Sequence, residues 1–132
     1  MKFPVANVSL REWNPREDIL LYVLIDPYIY RNDDKLYREF YYNQKFVDSE
    51  GEIYKIIDKR LPSSIWRSIF RFLPNVFKIE LIFITTNEKM GIEEVREFYL
   101  HQINNLPKED YINEWINQIK DAKSIKEILG GV

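Results

Sequence analysis

Three strand-length stretches, residues 18–30, 36–48 and 52–60, follow one another with only short polar turns between them, and at Leu61-Pro62 the apolar spacing changes. That order of periods constrains the fold more than any other feature. Turns this short join antiparallel neighbours, because a parallel crossover needs a dozen or more residues. In the first stretch Leu20, Tyr22 and Leu24 alternate with Leu21, Val23 and Ile25. Both faces are apolar, as in a strand covered on both sides. Asp26-Pro27 interrupts it, and proline has no N–H for a ladder, so a bulge or an exit at the sheet edge is expected there.

In the second stretch Leu36, Phe40, Tyr42 and Phe46 share one side of a period-two pattern, with Tyr37, Glu39, Tyr41, Asn43 and Lys45 on the other. Asp48-Ser49-Glu50-Gly51 reads as a hairpin turn, with Gly51 free to take a left-handed backbone. In the third, Ile53 and Ile57 alternate with Tyr54 and Ile56. The expectation is an N-terminal antiparallel meander, preceded by a short strand within residues 5–13.

Beyond Leu61-Pro62, Ile65, Trp66, Ile69 and Leu73 recur at helical spacing, with Arg67 and Arg71 four apart on another side and Pro74 at the end. Residues 75–86 return to strand character. Gly91 then precedes a helical stripe of Ile92, Val95, Tyr99, Ile103 and Leu106. Pro107 suits the first turn of another helix, whose stripe is Tyr111, Ile112, Trp115, Ile116 and Ile119. Ser124 with Glu127 fits a capping box, and the Gly130-Gly131 pair reads as a helix stop. The fold expected is α+β in one domain, residues 1–132. It has an antiparallel sheet of four to five strands, one inserted helix, and two to three C-terminal helices covering one face. Strand order stays open, since the last strand has either the first or the third as its neighbour.

Composition removes whole classes of chemistry. With 45% hydrophobic and 30% charged residues the chain is not disordered by low hydrophobicity. It has no cysteine, which excludes thiolate metal sites, cysteine nucleophiles and redox pairs. One histidine, His101, precludes a multi-histidine metal site, and four glycines are too few and too scattered for a phosphate-cradling loop. No cofactor is expected. No stretch approaches the ~20 apolar residues of a membrane span, and no signal region opens the chain, so a cytoplasmic protein without a membrane partner is expected.

The candidates that remain are surfaces. His101 lies one turn after Glu97, the spacing of an ordinary helix pair as much as of a base and its orienting acid. The acidic groups stand at turns and first helical turns, where solvated carboxylates belong. Residues 51–78 carry Lys55, Lys59, Arg60, Arg67, Arg71 and Lys78 against Glu52 and Asp58, inside a chain of net charge −2. Arg67 and Arg71 together have the donors to clamp an anion. The face Tyr37, Glu39, Tyr41 and Lys45 combines large rings with charge, a composition favoured at protein interfaces.

These features lead to a non-enzymatic protein-binding domain, of which an inhibitor or immunity-type protein is one concrete form. Its binding residues would be Tyr37, Glu39, Tyr41, Lys45, Arg67 and Arg71. A protein partner is expected, with self-association through an exposed sheet face as a second arrangement. The alternative is nucleic-acid or anionic-ligand binding through the local basic patch. The negative net charge and the lack of RNA-module signatures weigh against nucleic acid.

Overall fold

The structure, a computed structural model, describes residues 1–9, 13, 22–30, 33–60, 79–106 and 110–130. The chain is α+β. Its strands are β1 (Val5–Asn7), β2 (Val23–Leu24), β3 (Tyr28–Ile29), β4 (Lys45–Val47), β5 (Glu52–Arg60) and β6 (Ile79–Lys89). Its helices among the described residues are α1 (Asp34–Phe40), α2 (Ile92–Asn104), α3 (Asp110–Asp121) and α4 (Ile125–Ile128). The strands form one sheet in the order β2-β1-β4-β5-β6-β3, with every pairing antiparallel. Six strands exceed the four to five expected. The additional strand comes from the first apolar stretch, which Asp26-Pro27 divides.

Its two halves, β2 and β3, lie at opposite edges of the sheet. Asp26 Oδ1 accepts the Tyr28 N–H at 3.0 Å, closing a local turn, and the Pro27 carbonyl accepts the Leu81 N–H at 2.7 Å. Proline thus contributes an acceptor where it has no donor to give. The meander that forms is β4-β5-β6, one strand later than the sequence pattern placed it.

The second stretch departs further from expectation. Residues 34–40 are helical, and only Lys45–Val47 of that stretch is strand. Asp33 caps the helix, its Oδ1 accepting the Leu36 N–H at 3.1 Å. Leu36 and Phe40, like Tyr37 and Tyr41, are four residues apart, so the same residues that alternate in a strand share a stripe on a helix. Asn43, at φ 61, turns the chain out of the helix toward β4.

Next to the edge strand β2 lies β1, whose three residues are fully buried between β2 and β4. Asn7 would be costly there without partners. Its side-chain amide donates to the Phe40 carbonyl (3.2 Å) and Gln44 Oε1 (3.4 Å), and its Oδ1 accepts the Ser9 N–H at 2.8 Å. One polar side chain therefore fastens the end of α1 to β1.

The turn before β5 forms where the sequence placed it. Asp48 Oδ1 accepts the backbone N–H groups of Glu50 (2.9 Å) and Glu52 (3.0 Å), and Oδ2 accepts that of Lys2 at 3.0 Å. Gly51 has φ +87. A β-carbon there would stand 2.4 Å from the Met90 carbonyl oxygen and 3.0 Å from Ile125 Cδ1. Glycine is required twice over, by backbone conformation and by space.

The C-terminal stripes follow the pattern except at Tyr111, which is 57% exposed on the outer side of its helix. Val95, Tyr99 and Ile103 of α2, Ile112 and Ile119 of α3, and Ile128 of α4 are buried in the common core. Arg96 reaches from α2 to donate to the Ile119 (3.0 Å) and Lys120 (2.7 Å) carbonyls at the end of α3, where helix carbonyls lack partners. Ser124 Oγ accepts the Glu127 N–H at 3.1 Å. The Glu127 carboxylate takes the Lys123 N–H at 2.8 Å, one residue short of the cap position a capping box uses. Gly130, at φ +87, ends α4.

Trp13 links the two halves of the core. It stacks on Tyr22, with centroids 5.1 Å apart, and meets Tyr99 edge-on at 5.3 Å. Its backbone N–H donates to the buried Gln102 side chain of α2 at 2.6 Å.

Candidate interaction surface

The aromatic face expected at residues 37–45 does not form a surface. Tyr37 is 8% exposed and Tyr41 3%, both on the inward stripe of α1 and its cap. Helical geometry turns these rings into the core, and Glu39, lying between them, faces solvent. Lys45 remains half-exposed on β4, where its ammonium donates to both carboxylate oxygens of Glu88 at 2.9 and 3.0 Å. Arg67 and Arg71, with the inserted helix that was to carry them, lie outside the described residues. The structure therefore brings none of the candidate tyrosines together with Lys45.

The basic strand is met by carboxylates distant in sequence. Lys59 donates to Asp34 Oδ1 at 2.6 Å and its ammonium lies 4.6 Å from the Tyr37 ring centre, in cation–π range. This neighbour holds the Asp34 carboxyl below its ordinary pKa, first through the hydrogen bond and then through charge. Burial pushes the Tyr37 hydroxyl pKa up, with the Asp58 charge adding to it. Arg60 pairs with Glu80 across the ladder at 3.4 Å. On β5, Lys55 has no ion-pair partner among the described residues.

Register then places an apolar patch beside that lysine. Lys45 pairs with Lys55, and Lys55 with Ile84, so all three side chains project from one sheet face. A β-bulge between Ile56 and Asp58 brings Ile57 out, and it is 40% exposed. Ile84 is 43% exposed. The opposite face of the same strands is interior: Ile56, Ile79 and Leu81 are buried, and Phe83 meets Phe46 and Phe3 edge-on. The outer patch thus consists of Ile57 and Ile84 beside Lys55, rimmed by the Lys45–Glu88 pair. In the sequence pattern Ile57 belongs to one side of the β5 alternation. The bulge that exposes it is set by its pairing with β6 and has no local signature.

His101 and Glu97 are both exposed side chains on α2. Tyr54 donates to Glu52 Oε2 at 2.9 Å, a bond to the protonated phenol that raises the tyrosine pKa. No helix among the described residues is long and apolar enough to cross a membrane. The fold and surface define an α+β domain with a partly apolar outer sheet face. No known family profile, curated protein or solved structure matches the chain.

Proposed function

We propose that this chain is a non-enzymatic protein-binding domain that docks its partner on the outer face of β5 and β6, through Lys55, Ile57 and Ile84. The observation that carries the reading is two large aliphatic side chains, 40% and 43% exposed, on the same sheet face as a lysine with no ion-pair partner among the described residues. Burying such side chains against a partner gains roughly 25 cal/mol per Å² of apolar surface. A carboxylate on the partner, placed against Lys55, would supply orientation and association rate. The partner is accordingly an apolar surface segment bearing an acidic residue. An inhibitor or immunity-type protein, which occludes another protein's working surface, is the form of this class that the reading favours.

Affinity capture from the native source, comparing the wild type with a Lys55→Glu/Ile57→Asp double variant, tests the reading. A recurrent protein captured by the wild type and lost from the folded variant is expected. Equal capture by both, or nucleic acid as the recurrent species, would overturn it.

A further inference from the structure

The second long strand has an edge that no strand among the described residues covers, as well as an outer face. β3 pairs with β6 only at Ile79 and Glu80, and the contact ends where the Leu81 N–H donates to Pro27. Beyond that point no strand among the described residues lies along the outer edge of β6. Backbone groups two residues apart point to the same edge, so Phe83 and Thr85 direct their N–H and C=O groups outward as Leu81 does. The edge ends at Asn87, whose φ of 61 breaks the regular strand. The open span is residues 82–86.

Protein sheets ordinarily guard such edges with charge, proline or a bulge. This edge carries neither charge nor proline nor glycine from Leu81 to Asn87, and its only bulge-like residue is the last. The span is also centred on one residue, Ile84, which is among the most exposed aliphatic side chains of the sheet.

We infer that two copies of this chain pair antiparallel along their β6 edges, about a two-fold axis at Ile84. In that register Ile84 lies against its own copy, while Phe83 and Thr85 exchange both backbone bonds with Thr85 and Phe83 of the second molecule. A two-fold contact requires one patch to complement itself, and the outward N–H and C=O groups of Phe83 and Thr85, one residue either side of Ile84, do so in an antiparallel register. No like charges meet within residues 82–86. Glu80 and Glu88 would oppose each other if pairing extended further, and β3 already occupies the Glu80 end. So short an edge falls below the ~1,200 Å² of a stable interface, so the dimer is weak and concentration-dependent. The association uses backbone groups of β6 and shares only Ile84 with the proposed docking face; the capture experiment varies Lys55 and Ile57 and the dimer experiment varies Ile84, so the failure of one is distinguishable from the failure of the other.

Sedimentation equilibrium of the wild type from about 10 μM to about 1 mM covers the range expected of a weak dimer. A shift from monomer to dimer is expected. Ile84→Glu places a carboxylate opposite the molecule's own Lys55 and so keeps the fold, yet sets two carboxylates together at the two-fold axis. Ile84→Glu alone and Ile84→Lys alone should remain monomeric, and an equal mixture should recover the dimer. Should either variant fail to fold, amide exchange on the wild type serves instead. Phe83 and Thr85 amides should exchange about tenfold more slowly at the high concentration, following the fraction dimerised. A wild type monomeric throughout, a dimer that persists in both single variants, a mixture of folded variants that stays monomeric, or a dimer whose Phe83 and Thr85 amides are unprotected would each overturn the inference.

Discussion

Lys59 donates to Asp34 Oδ1 at 2.6 Å and in doing so holds the first turn of α1 against β5. The contact joins an acidic residue at a helix N-terminus, where a negative charge is favoured, to a cation on the neighbouring strand. The Tyr37 ring lies 4.6 Å from the same ammonium, so one lysine contacts both the surface and the buried side of α1.

Because Lys59 lowers the Asp34 pKa in the folded state, the contribution is present above the unfolded carboxyl value of about 3.9. It disappears as pH falls through the lower folded value. Urea denaturation of the wild type and Asp34→Asn should differ near neutrality and converge in acid. Salt should shrink the difference, since the carboxylate is exposed. A difference independent of pH would show that the pair does not form.

Tyr41 and Tyr42 are adjacent in sequence and opposite in consequence. Tyr41 is 3% exposed and Tyr42 is 49% exposed. Tyr41→Ala should cost about 3–5 kcal/mol, the range for truncating a buried aromatic. Tyr42→Ala should cost well under half of that. Chemical denaturation midpoints that move equally would contradict the helical placement of α1.

Gly51 and Gly130 share φ +87 but not surroundings. A β-carbon at Gly51 meets the Met90 carbonyl, whereas at Gly130 nothing among the described residues lies within 4 Å. Gly130→Ala should cost about 1 kcal/mol for the left-handed backbone alone. Gly51→Ala should cost roughly 2 kcal/mol or more, because the Met90 backbone must also shift. Thermal melts of the two variants, compared side by side, check the ordering.

Tyr99 is 1% exposed and its hydroxyl has no hydrogen-bond partner among the described residues. Burial raises its phenol pKa. Above about pH 10 the unfolded phenol ionises while the folded one stays protonated, so the folded state loses stability as pH rises. Tyr99→Phe should remove that alkaline contribution and stabilise the protein by about 1 kcal/mol at neutral pH, by deleting an unsatisfied buried polar group. Denaturation curves at neutral pH and above pH ~10 measure both effects.

What was legible in the chain were features whose cause is local. The stripe Val95, Tyr99 and Ile103 is a helix by spacing, Ser124 is a cap by chemistry, and Asp48-Ser49-Glu50-Gly51 is a turn because its own side chain and backbone close it. The helix α1 was not legible as such. Tyr37 and Tyr41 are four apart, a separation that satisfies a strand's period and a helix's together, and Asp33 alone signalled the cap.

The surface was less legible still. Lys45 meets Glu88 across 43 residues and Lys59 meets Asp34 across 25, so the local excess of positive charge is offset by acids that only folding brings near. By itself the sequence determined the α+β class, the turn and the C-terminal helices, because period and capping are properties of neighbours along the chain. The tertiary structure alone decided that β2 and β3 take opposite edges, that the two tyrosines lie inside, and that Ile57 and Ile84 stand outside. Those outcomes depend on strand register and shared burial, which arise between segments and have no expression within any one of them.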